Sequence, residues 1–177
     1  MRLYEPPPHP FLTEEQCTAK LAHILNTSKK VGTIIQAIQV LNPKALKRGI
    51  TCRPCAGTIQ QDKMGYYDGT HKIIVLCCDN LRSTEQIHET LVHELIHAFD
   101  ACRKGKFSSI CHLIACGEIR ASSIGQCSSV QPEHKRRACV LRDAIQSTQL
   151  HCGDHASKIV KEVFENCIKD GAPFQSQ

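Results

Sequence analysis

No stretch of the chain approaches the ~20 consecutive apolar residues that a membrane-spanning helix needs. The most apolar strand-like run, Ile73-Ile74-Val75-Leu76, is short and lies between Lys72 and Asp79. Residues Met1 to Pro10 lack the apolar centre of a secretory signal. With a single Arg they also lack the Arg-rich pattern of a transit peptide, so import into an organelle would need another kind of address. No block of like charge is present. The net charge of +5 is spread along the chain, which favours an ordinary basic surface over a patch for anionic lipid or nucleic acid. No internal repeat and no linker divides the sequence. With 177 residues the expectation is one domain, 13–177, behind an irregular arm of residues 1–12. Pro6, Pro7, Pro8 and Pro10 forbid helix or central strand in that arm.

What is present is ordinary globular composition, 41% hydrophobic and 22% charged. Cysteine is the exception. Twelve are spread over the chain: Cys17, Cys52, Cys55, Cys77, Cys78, Cys102, Cys111, Cys116, Cys127, Cys139, Cys152 and Cys167. An even number suggests a disulfide framework in an oxidising compartment. The competing reading is a zinc ribbon, Cys52-Arg53-Pro54-Cys55 with Cys77-Cys78, among reduced cysteines. Its second pair is adjacent where the usual pattern spaces both pairs by two, which favours disulfides.

The periodicity predicts mostly helix. Thr13 with Gln16 is a capping-box pattern opening a helix with Leu21, Ile24 and Leu25 on one face. A second helix is expected from Val31 to Leu41, ended by Asn42-Pro43. Thr58-Ile59-Gln60 and His71 to Leu76 are strand-like, with Asp68-Gly69 as a turn signal between them. They predict an antiparallel hairpin or small meander. Ser83 with Gln86 opens a helix running to about Arg103. Its stripe of Ile87, Leu91, Val92, Leu95 and Phe99 predicts substantial burial. Further helices are expected over Cys111–Ala121, Glu133–Ser147 and Asp154–Lys169, the last capped by Gly171. The fold class is therefore α+β, mostly helical with a small antiparallel or mixed sheet.

The chemistry centres on His93-Glu94-Leu95-Ile96-His97. Residues four apart share one helix face, so His93 and His97 can hold one zinc ion from adjacent turns. Glu94 lies about 100° round the helix, where it can act as general base on a water that the zinc activates. The apolar flanks argue against a surface salt-bridged helix, because charge in a buried setting is costly unless paired or bound to metal. A catalytic zinc usually has a third protein ligand. Glu118, on the next predicted helix, is favoured. Asp100, on the same face as His93, is the rival and better suited to orienting a ligating histidine through its other ring nitrogen. His112 is the other candidate. The strand His71 to Leu76 could be an edge that pairs with extended substrate backbone.

Glu89-Thr90-Leu91-Val92-His93-Glu94-Leu95-Ile96-His97-Ala98-Phe99-Asp100-Ala101-Cys102-Arg103 resembles the mitochondrial inner-membrane metalloprotease family that acts in ATP synthase assembly. His112 to Ala121 is similar to that family's second block, Arg136-Arg137-Ala138 and Val163 to Phe174 to its C-terminal signature, and Cys52 and Cys55 to its upstream cysteine pair. The likeness covers about residues 11–174. It implies a zincin-type zinc endopeptidase associated peripherally with the inner membrane on the intermembrane-space side, with no nucleic-acid partner. It implies processing of the precursor of the proton-channel subunit of ATP synthase, and help in its assembly. The expected site is then His93, His97 and Glu118 on zinc with Glu94 as the base, and the cysteines are expected in disulfides. Two other readings stand beside it. One is a chaperone or assembly factor that does not need cleavage. The other is a nuclear DNA-repair metalloprotease with a zinc ribbon.

Overall fold

The computed structural model describes residues 10–174. Most of the expected irregular arm thus lies outside the described residues. Six α-helices and three strands follow the order α1 (Glu14–Thr27), α2 (Lys29–Leu41), β1 (Ile50–Arg53), β2 (Gly65–Asp68), β3 (Ile73–Cys77), α3 (Thr84–Cys102), α4 (Ile110–Ile124), α5 (Glu133–Cys152) and α6 (Ala156–Cys167). The α+β class read from the sequence holds.

The helix starts follow their caps. Thr13 and Gln16 form the expected capping box of α1. Ser28 ends α1 and its hydroxyl caps α2, so one residue turns the chain between two helices. Ser83 caps α3, but the Gln86 side chain accepts from the Arg82 N–H and does not close a box on Ser83. The expected stripe of α3 is buried, and so are Thr90, Glu94, Ile96 and Ala98. This helix is therefore enclosed on most sides, and each fully buried Leu or Ile contributes about 1.5–3 kcal/mol. On α1, Leu21 and Ile24 are buried as expected, while Leu25 is partly exposed.

The strands differ from the sequence reading. Thr58-Ile59-Gln60 is not a strand. Asp79 accepts the Cys55 and Ala56 N–H groups, and successive turns carry the chain on from Cys55, with Ile59 pointing outward. The turn at Asp68-Gly69 is real, but its first arm is β2, immediately before it. The sheet is mixed: β1 runs parallel to β3, β2 antiparallel to it, in the order β1-β3-β2. The strand containing Ile73 to Leu76 is thus central and buried along its length, and cannot be the edge that a substrate would join. The edges are β1 and β2, and of these β2 packs against α3.

The last helices are shifted by their boundaries. Helix α5 continues to Cys152 because the residue that stops it, Gly153, has φ 58°. A 3-10 turn over Gly153–His155 follows, so α6 begins at Ala156 and ends at Cys167, before the expected Gly171.

Two apolar clusters meet at α3 and α4. One is built from α1, α2, the sheet and α3, the other from α4, α5 and α6. Five disulfides pin these layers: Cys17–Cys52, Cys55–Cys77, Cys111–Cys152, Cys116–Cys167 and Cys127–Cys139. Cys78 and Cys102 remain free. The zinc ribbon is excluded, because three of its four cysteines are spent in disulfides.

Candidate active site

Helix α3 carries His93, Glu94 and His97 to the floor of a cleft of about 600 Å³, whose walls include β2, α4 and α5. The two imidazoles face one another with Nε2 atoms 3.0 Å apart. Glu118 reaches across from α4, its carboxylate oxygens 3.5 Å from each Nε2. Donors placed ~2.0–2.1 Å from a tetrahedral zinc stand about 3.3–3.4 Å apart, and the Nε2–Nε2 distance of 3.0 Å and the 3.5 Å from each Nε2 to its own Glu118 oxygen lie close to that spacing. Two imidazoles and a carboxylate are also a usual donor set for that ion.

The electrostatics favour a cation at this point. Burial alone would lower the His93 pKa. The hydrogen bond that His93 donates to Glu118 and the charges of Glu94 and Glu118, with Gln126, more than reverse this and raise it to about 9. Burial alone would raise the Glu118 pKa. The bond to His93, the charges of His97 and His93, and the Ser147 hydroxyl bring it down to about 2. The same field that holds a proton between His93 and Glu118 would stabilise a metal ion there.

Glu94 is 8% exposed and points to the other side of the cleft. Its carboxylate accepts the Tyr67 N–H of β2 at 3.0 Å. Gly65, two residues earlier, lets β2 seat this closely on α3. A Cβ there would stand 2.7 Å from the Thr90 Cγ2 and 3.0 Å from the Val75 carbonyl. The base candidate is thereby tied to the outer strand of the sheet, close to where an extended chain could lie.

The structure brings His93, Glu94, His97 and Glu118 together. It does not bring Asp100 or His112. Asp100 does not orient a histidine: its carboxylate accepts from Arg120 at 2.9 Å and from Arg103 at 3.2 Å. His112 turns away to Ser109 and Glu162. The partner of His93 is Gln126, whose Oε1 lies 3.0 Å from Nδ1. Gln126 is itself held by Ser122 and Asp143. No spacing rule picks out a Gln beyond the end of α4. The β2 contact was findable, since Tyr66-Tyr67 directly precedes the Asp68-Gly69 turn. Arg120, two residues after Glu118, is 2% exposed and does not pair with Glu118. It binds Asp100 on α3, Asp170, and the carbonyls of Asp170 and Ala172, and so locks α4 against α3 beside the site.

Residues 15–175 match the Peptidase M76 family. A human mitochondrial inner membrane protease ATP23 homolog is 32% identical over 93% of this chain and 71% of its own length. The homolog from Danio rerio is 31% identical over 93% of this chain and 68% of its own. The mitochondrial inner membrane protease atp23 of Aspergillus clavatus is 31% identical, covering 90% of this chain and 72% of its own. No solved structure matches the chain.

Proposed function

The chain belongs to the Peptidase M76 family, and from that premise we propose that it is a zinc-dependent endopeptidase of the mitochondrial inner membrane. The observation that carries the reading is the convergence of His93, His97 and Glu118 at 3.0 and 3.5 Å, with Glu94 beside them. In this reading residues 13–177 form one zincin-type domain, and the two Nε2 atoms and the Glu118 carboxylate would hold the metal. Zinc, when bound, supplies Lewis acidity that polarises the scissile carbonyl and brings the ionisation of water towards neutral pH.

The chain's own groups do the rest. Glu94 accepts a proton from the attacking water and delivers it to the leaving amine. The Tyr67 N–H holds that carboxylate in place and disfavours its protonation. Gln126 accepts from the His93 Nδ1–H and so leaves Nε2 as the nitrogen that would hold a metal. The outer strand β2 receives extended substrate backbone.

The site is assigned to the intermembrane-space side, bound peripherally. Five disulfides favour an oxidising compartment. Among the described residues no helix is long and apolar enough to cross a membrane. The substrate is the precursor of the proton-channel subunit of ATP synthase, whose assembly the protein also assists. Support for that substrate is the family likeness. Glu94→Gln tests the mechanism: it should keep zinc and lose peptidase activity by about 10²–10⁴-fold. Full activity would remove Glu94 from the mechanism. The same variant in cells lacking the protein separates cutting from chaperoning, since rescue of assembly would make hydrolysis dispensable for it.

A further inference from the structure

Helix α3 and strand β2 run side by side in the same direction. Gly65 packs on Thr90, and two residues later the Tyr67 N–H donates to Glu94. An extended chain added to the outer edge of β2 would therefore run along the helix. One turn before His93, on the same helix face as both histidines, stands Glu89. It lies in the wall of the cleft that holds them. The step from Glu89 to His93 is a rise of ~6 Å along the helix. About two residues of extended chain cover the same distance.

Carboxylates in the cleft wall are Glu89, Glu94, Glu118 and Asp143. Three are engaged. Glu94 accepts from Tyr67, Glu118 faces the two histidines, and Asp143 accepts from Gln126 and Arg142. Among the described residues the Glu89 carboxylate makes no hydrogen bond and no ion pair, not even with Lys63 of the same cleft wall. The charge of Lys30 reaches it, but Lys30 lines a neighbouring cavity and donates to the Ile124 carbonyl and the Ser128 hydroxyl. Burial, with the charge of Glu85, holds Glu89 above the ordinary carboxylate range against the effect of Lys30. A half-buried carboxylate without a partner is stabilised by a cation brought to it.

We propose that Glu89 determines specificity in the cleft, by receiving a Lys or Arg side chain of the substrate about two residues from the scissile bond. The substrate class is then a polypeptide cut near a basic residue. The proposal rests on the peptidase reading above and on substrate lying along β2. Glu89 takes no part in the bond-breaking step; its task is to select and place the chain.

The test uses the full chain loaded with zinc and matched peptides carrying Lys, Arg, norleucine or Glu at the second residue on either side of the cut. At one of these positions kcat/KM for Lys or Arg should exceed that for norleucine by about 10- to 100-fold, the weight of a hydrogen bond to a charged group. Glu89→Gln should bring that ratio towards one. Glu89→Lys should turn the preference towards the Glu peptide, which a merely damaged fold would not do. Cleavage without a basic preference, or a preference that survives Glu89→Gln, overturns the subsite and leaves the peptidase reading intact. A second readout is anisotropy of the same peptides, fluorescently labelled, on the Glu94→Gln protein. If the wild-type protein cleaves nothing but Lys peptides bind better than norleucine peptides, and adding Glu89→Gln abolishes the difference, the subsite stands and the peptidase reading falls. If binding shows no difference either, the subsite is overturned.

Discussion

Replacing Gln126 by Leu removes the acceptor for the His93 Nδ1–H, now 3.0 Å away, and keeps the side chain's approximate bulk. The His93 side chain is only 16% exposed, so water replaces the lost partner poorly. An unsatisfied buried donor costs ~1–3 kcal/mol, or roughly 5- to 150-fold in an equilibrium constant. Outer-shell partners of metal-binding histidines carry a similar weight, ~10–100-fold in affinity. Zinc affinity of Gln126→Leu should therefore fall by about 10–100-fold in competition with a chromophoric chelator. Gln126→Glu should not behave as a simple improvement. It would set a second carboxylate beside Asp143, whose oxygen is 3.4 Å from the Gln126 amide nitrogen, and like charges at that distance bind a proton. Wild-type zinc affinity in Gln126→Leu, with folding intact, would refute the view that this amide holds the imidazole in register.

Two further outcomes follow from the same geometry. Arg120→Met strips a buried guanidinium from Asp100 and Asp170. It should destabilise the fold by ~3 kcal/mol in urea unfolding, the low end for a broken buried pair because both carboxylates still reach some water. It should also weaken zinc binding, as α3 and α4 lose a shared anchor next to His97 and Glu118. In the metal-free protein, His93 is raised above its ordinary range by Glu118 and its neighbours against the effect of burial. Its contribution to stability is full below pH ~6.5 and is lost as pH rises through about 9. Urea midpoints of metal-free protein should fall over that interval, and zinc-loaded protein should not show the fall, since the metal replaces the proton.

The helices were legible because their signals are local. Thr13 and Ser83 cap as their side chains dictate, whereas Ser28 caps a second helix that the sequence reading starts only at Val31, and the α3 stripe is buried where its spacing places it. The His93–His97 pair was legible for the same reason, one helical turn being a local relation. The sheet was only half legible. Ile59 looks like a strand residue, but Asp79, 20 residues later, draws the preceding backbone into turns, and no local window contains that contact. Strand β1 pairs in parallel with a strand more than 20 residues away, which also leaves no local trace. Gln126 and the Asp100–Arg120 pair are likewise products of α4 packing on α3. Cysteine pairing follows the same rule, since the bridges span separations of 12 to 51 residues.

The most direct test of the central claim is zinc and free-thiol content measured together on native protein. One zinc per chain is expected, lost in the His93→Ala and His97→Ala variants, with two free thiols from Cys78 and Cys102. Zinc that survives both histidine replacements, or mostly free thiols with two zinc ions per chain, would contradict it.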